Sequence, residues 1–149
     1  KISLIQQITD ENKKKIIGEK YKEIGLQNEL FSFNDEIYQK YNQVDFAITR
    51  SGASTISELI FFNIPFLAIP LPKSKDNHQF YNAKDYFDKK LCWLTNQSDY
   101  KREILKDFIL NLIQNPDDYL EKKNNMSKFS YQNTWNNINQ KLLDLINEN

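Results

Sequence analysis

The sequence predicts an α/β fold, a Rossmann-like parallel sheet with flanking helices, followed by a helical C-terminal tail. Three observations predict it. Short apolar runs alternate with longer amphipathic ones up to Thr95, the pattern of strands joined by crossover helices. The run "PFLAIP" (Pro65–Pro70) is apolar within and bounded by prolines, which suits a parallel strand buried on both faces. From Asp99 onward the strand-like runs stop and helical spacing takes over.

The elements follow in order. "ISLIQ" (Ile2–Gln6) reads as a strand. Asp10 to about Gly25 reads as a charged surface helix, with Ile16, Ile17, Tyr21 and Ile24 on one side and Gly25 as its C′ stop. "ELFSF" (Glu29–Phe33) is a second strand, and "NDEIYQKYNQ" opens on cap-type residues as a helix. "DFAIT" (Asp45–Thr49) is a third strand and Thr55–Phe62 a helix. "PFLAIP" is the fourth strand, Asn77–Lys89 a helix, and "LCWLT" (Leu91–Thr95) the last strand. In the tail, Tyr100–Gln114 carries Ile104, Leu105, Phe108 and Leu112 at helical spacing. "NPDD" restarts a short helix with Pro116 in its first turn, and Thr134–Ile146 closes the chain as another. Residues 1–98 thus form the sheet-bearing part and 99–149 a helical segment packing on it.

At 149 residues the chain is one domain's worth. Acidic and basic residues balance at 20 each, so a polyanion such as a nucleic acid is not the expected partner. The single cysteine, Cys92, makes no internal disulfide. It reads as a buried structural thiol in a reducing compartment. The only histidine, His78, has no companion for a metal site, and no cofactor is expected. The mixed-charge stretches Tyr100–Lys106 and Glu121–Lys128 read as solvated surface. No run reaches the ~18 apolar residues of a membrane span. The chain opens at Lys1, without methionine, directly on a strand-like segment. It is expected to be part of a longer protein.

In open α/β sheets, ligands bind outside the carboxyl ends of the strands. The turn "RSGAST" follows the third strand and opens a helix. Its small residues would let phosphate oxygens reach the unpaired amides and positive dipole end of that helix. Neither the P-loop nor the dinucleotide pattern is present. A second reading stands beside it. Thr55-Ile56-Ser57-Glu58 has the spacing of a capping box, with Thr55 bonding the N3 amide and Glu58 reaching back. In the ligand reading Glu58 instead accepts from a diol such as a ribose. In the next loop, "DNHQFYNA" brings His78, Gln79 and Asn82 near one mouth. The amides among them suit sugar hydroxyls. The serines have no histidine partner, so no hydrolase triad is read, and no catalytic residue is assigned.

The run "DFAITRSGASTISELIFFNIPFLAIPLPKSKDNHQFYNAKDYF" resembles the donor-binding half of the MurG family of bacterial N-acetylglucosaminyltransferases. The match rests on Arg50–Glu58, on Pro65 to Pro70, and on Asp76-x-x-Gln79-x-x-Asn82-Ala83, in order and at family spacing. "SLIQQ" and "FSFNDEIYQKYNQVDF" extend it upstream, so that it covers Ile2 to Thr95. The resemblance implies the C-terminal half of a GT-B glycosyltransferase with UDP-N-acetylglucosamine as donor. It implies diphosphate contacts from Ala53, Ser54, Thr55, Ile56 and Ser57, ribose contacts from Glu58, and sugar contacts from Gln79 with Asn82. The loop at Phe33–Asn34 would lie against uracil through its backbone.

The implied reaction is an inverting transfer to undecaprenyl-pyrophosphoryl-N-acetylmuramyl-pentapeptide, lipid I to lipid II, in peptidoglycan synthesis. The lipid acceptor would be held by an N-terminal domain this chain lacks, so the chain alone is expected to be inactive. The implied location is peripheral, on the cytoplasmic side of the bacterial inner membrane. A related UDP-sugar transferase with another acceptor, or a non-catalytic sugar-nucleotide module, stays open on the residues alone. Three departures stand out: Asn63 where glycine is frequent, bulky Phe61 and Phe62 where residues are small, and His78 where a second glutamine is common.

Overall fold

A computed structural model describes residues 2–99, 101–132 and 137. The chain divides into two compact units, one ending at Val44 and the other starting at Asp45.

The first unit holds strand β1 (Ser3–Gln7), helix α1 (Glu11–Glu23), strand β2 (Gln27–Phe31) and the short helix α2 (Ile37–Tyr41). β1 and β2 pair in parallel, Ser3 opposite Gln27 through Gln7 opposite Phe31. The second strand therefore starts two residues earlier than its apolar letters suggest. α1 begins where the sequence places it, because the Asp10 carboxylate accepts the Lys13 amide at 3.0 Å. Its predicted apolar side is only partly used. Ile17 and Tyr21, four residues apart, are half-buried, while Ile16 and Ile24 are exposed.

The second unit carries the larger core. β3 (Ala47–Thr49), β4 (Phe66–Ala68) and β5 (Trp93–Leu94) form a parallel sheet in the order β3-β4-β5. The predicted doubly buried strand is β4, paired on both sides and buried at every residue. Helices α3 (Ala53–Phe61) and α4 (His78–Asp88) are the crossovers. Their core faces supply Ile56, Leu59, Ile60 and Ala83. α5 (Arg102–Gln114) and α6 (Asp117–Gln132) follow. The helix after "NPDD" is thus not short: it runs for 16 residues, with Pro116 just ahead of its first turn and accepting the Leu120 amide at 2.9 Å. The helix expected over 134–146 lies outside the described residues, save Asn137.

The mixed-charge stretch Glu121–Lys128 is also more than surface. Met126 is fully buried, and Lys122 is 7% exposed, its ammonium 4.4 Å from the centre of the Trp93 ring. Lys122 pairs with Asp118, which also accepts the Trp93 indole N–H at 2.6 Å. Burial pushes the Asp118 carboxyl up, but hydrogen bonds from Lys122 and Trp93 and the nearby lysine charges outweigh it, leaving it below its ordinary value. A long basic side chain can cover apolar surface in this way, which a charge count does not reveal.

Three helices end alike. After α1, α3 and α4 the C′ residues Gly25, Asn63 and Lys90 take left-handed φ of 68°, 55° and 57°. The next amides, of Leu26, Ile64 and Leu91, reach back to Tyr21, Leu59 and Tyr86 at 2.9 Å. This is the Schellman closure. Asn63 thus does after α3 what Gly25 does after α1. Asn63→Ala is expected to lose about 1 kcal/mol, the cost of a left-handed alanine, while Asn63→Gly holds its stability. Urea unfolding of the two variants checks this.

Cys92 is fully buried, and burial pushes its thiol up to about 12, against a small opposing pull from Lys122. The thiol of the folded chain should therefore resist iodoacetamide at pH 8 and react on unfolding. Mass spectrometry with and without urea reads the result.

Candidate functional site

The site is built at the carboxyl ends of β3 and β4. β3 ends at Thr49, and Arg50, Ser51 and Gly52 lead into α3. Gly52 is the N-cap, extended at φ −65° and ψ 141°, with its carbonyl taking the Ile56 amide at 3.0 Å. The capping-box reading is therefore corrected. Thr55 stands at N3 rather than at the cap, because Ala53 and Ser54 are already helical. Gly52, at the cap, has no side chain to bond the helix. Its cap residue therefore brings no acceptor to the amides of the first turn, which have the helix dipole behind them.

Gly52 has an ordinary φ, and an added Cβ would meet nothing closer than Thr55 Oγ1 at 3.9 Å. Nothing among the described residues requires a glycine here.

Two side chains lace the turn to its surroundings, and a third holds the loop after β4. The Arg50 guanidinium donates to the carbonyls of Ile69 at 3.1 Å and Pro70 at 3.3 Å, just past the end of β4. Asn82, on the first turns of α4, donates to the Ser51 carbonyl at 3.3 Å. Gln79, three residues earlier, accepts the Leu71 amide at 3.0 Å through its oxygen, so the bond does not use its NH2 group. The loop before α4 is strained at two successive residues, Asp76 and Asn77, each at φ 52°. His78 bonds the Lys75 carbonyl at 2.7 Å and is exposed.

The structure sorts the residues singled out in the sequence. Ala53, Ser54 and Thr55 form the mouth of α3. Glu58 lies three and four residues beyond Thr55 and Ser54, hence on the same helical face, and is half-buried. Ile56 is fully buried and its amide is spent on Gly52. Ser57 lines a separate hollow of about 190 Å³ with Ile60, Phe61 and Tyr86. Asn34 belongs to the first unit, where its side-chain oxygen accepts the Glu36 amide at 2.8 Å and shapes the loop. Among the described residues no cluster of three or more His, Cys, Asp or Glu could hold a metal ion.

Two residues near the turn were given no role from the sequence. One is Arg50, whose signal is an arginine directly ahead of a helix mouth. The other is Ser51, fully buried with its hydroxyl lacking a partner among the described residues. No sequence pattern announces that.

Residues 1–140 match the family described as the glycosyltransferase family 28 C-terminal domain. The chain belongs to glycosyltransferase family 28.

Family 28 relatives agree along its length. A Pelagibacter ubique protein named UDP-N-acetylglucosamine--N-acetylmuramyl-(pentapeptide) pyrophosphoryl-undecaprenol N-acetylglucosamine transferase is 47% identical over 100% of this chain. A Rickettsia felis protein of the same name is 42% identical over 78% of it. The chain spans 42% and 32% of those two proteins. The crystal structure of Acinetobacter baumannii MurG superposes with a TM-score of 0.74 at 23% identity, covering 99% of this chain and 42% of that one. It shows the fold, the parallel-sheet C-terminal half of a GT-B enzyme. The family 28 match and the MurG neighbour bear out the resemblance read from Arg50–Glu58 and Asp76–Ala83.

Proposed function

We propose that this chain is the UDP-N-acetylglucosamine-binding part of an inverting glycosyltransferase that converts undecaprenyl-pyrophosphoryl-N-acetylmuramyl-pentapeptide to its N-acetylglucosaminylated form in peptidoglycan synthesis. The observation that carries it is the uncapped mouth of α3, tied by Arg50 and Asn82 to the end of β4 and the start of α4. The names of the relatives point to the same donor and acceptor.

In this reading the amides of Ala53, Ser54 and Thr55 take the diphosphate, and Glu58 accepts from the ribose hydroxyls. The Gln79 amide donates to the sugar, and Asn82 positions the turn through Ser51. The loop carrying Asn34 serves uracil. When the acceptor's C4 hydroxyl attacks the anomeric carbon from the far side, negative charge builds on the departing UDP. The helix mouth faces that charge and stabilises it without reorganising. Residues 1–98 form the donor-binding part, and α6, within the stretch 99–149, buttresses it through contacts such as Ser130 to the Ile60 carbonyl at 3.1 Å. The lipid acceptor and a peripheral attachment to the cytoplasmic membrane face are assigned to the longer protein. Among the described residues no helix is long and apolar enough to cross a membrane.

Gly52 supplies the test. If its hydrogen side chain exists to admit the diphosphate, Gly52→Ala should weaken UDP-N-acetylglucosamine about tenfold, a hydrogen bond or two displaced. Melting should stay within about 2 °C, since the new methyl clashes with nothing. Calorimetric titration reads the first and a thermal melt the second. A folded chain that binds no UDP-N-acetylglucosamine, or a Gly52→Ala chain that binds it as well as the parent, overturns the assignment.

A further inference from the structure

Beside the donor mouth lies a cleft of about 410 Å³ lined in part by Leu71, Asn77, Phe80, Tyr81, Asn96 and Gln97. We infer that this cleft is the seat of the acceptor's peptide arm, an inference that rests on the donor reading above.

Its chemistry comes first. Among the described residues that line it, only the Tyr81 phenol is ionisable, so none of them offers a cation to a phosphate. Phe80 and Tyr81 meet edge to face at 5.7 Å and 77°, and Tyr81 is 63% exposed. Asn77, Asn96 and Gln97 offer primary amides, each both donor and acceptor. Aromatic walls with amides between them suit a chain of peptide groups, whose N–H and C=O need paired partners and whose side chains pack on rings.

Its position comes second. Gln79 and Asn82 turn toward the diphosphate side, while Phe80 and Tyr81, next to Gln79 in sequence, fall on other sides of α4. Leu71 connects the two: it lines the cleft, and Gln79 holds its amide at 3.0 Å. Transfer brings the attacking hydroxyl to about 3–3.5 Å from the anomeric carbon. The acceptor's body must therefore lie next to the sugar, and this cleft adjoins the residue assigned to that sugar. The relatives' acceptor, by their name, carries a pentapeptide on N-acetylmuramic acid. Asn77, which lines the cleft, and Asp76 before it are both left-handed, a conformation that costs energy to hold.

The test is nuclear magnetic resonance of the 15N-labelled chain, titrated in turn with UDP-N-acetylglucosamine, N-acetylmuramyl-pentapeptide and N-acetylmuramic acid. The donor should move the amides of Gly52 to Thr55. The pentapeptide should move those of Leu71, Asn77, Gln97 and Ser98, and N-acetylmuramic acid should not. Tyr81→Ala should weaken the pentapeptide about tenfold, the loss of an aromatic anchor, and leave the donor's affinity unchanged. If the donor binds and the pentapeptide leaves the cleft unmoved, the inference falls and the donor reading stands. Equal shifts from N-acetylmuramic acid would make the cleft a sugar subsite and overturn it too. A folded chain that ignores the donor ends both.

Discussion

Glu58→Ala should weaken UDP-N-acetylglucosamine between about ten- and a hundredfold, the cost of losing charge-assisted hydrogen bonds to the ribose. Melting should stay within about 2 °C of the parent chain. The two readouts separate because the helix starts at Gly52, not at Thr55. A capping carboxylate would stand at N3, whereas Glu58 stands a full turn further in, facing the same side as Ser54 and Thr55. Glu58→Gln should recover part of the affinity, since the amide oxygen still accepts one bond. Calorimetry on the three proteins decides. A drop of several degrees with affinity intact would return Glu58 to a structural role.

Phe66→Ala carries the largest expected loss of stability. Phe66 is fully buried on the central strand, between β3 and β5, in a core with Ile56, Leu59 and Leu91. Removing its ring costs about 3–5 kcal/mol in transfer and cavity terms. That is a large part of the ~5–15 kcal/mol that holds a domain together. Phe66→Leu, which keeps most of the volume, should cost less than half as much. The site feels the same change. β4 leads to Ile69 and Pro70, whose carbonyls hold Arg50, so a loosened strand loosens the turn and donor affinity falls with stability. Urea midpoints and a donor titration below the transition test both. A midpoint lowered no more in Phe66→Ala than in Phe66→Leu would show that the site collapses around the gap.

Much of the donor site lies in local signals. The apolar letters of Phe66–Ala68 could serve only a doubly buried strand, and Gly25 could only end a helix. Arg50–Glu58 with Gln79 and Asn82 was enough to point to the family, because those residues sit on two adjacent strand-to-helix loops whose order the sequence preserves. Helix starts were less legible. Thr55 and Glu58 satisfy a capping-box spacing, and only the backbone shows that Gly52 had begun the helix three residues earlier.

The sequence by itself determined the parallel α/β class, the family, the buried Cys92 and the strand-to-helix loops of the candidate site, all set by hydrophobic period and short motifs. Tertiary structure alone decided what long-range partners fix: Lys122 buried over Trp93, Arg50 bound to carbonyls nineteen and twenty residues away, and the cleft between α4 and the loop after β5. Local preference governs which element forms. Which side chain meets which carbonyl depends on how the elements pack, and no spacing along the chain records that.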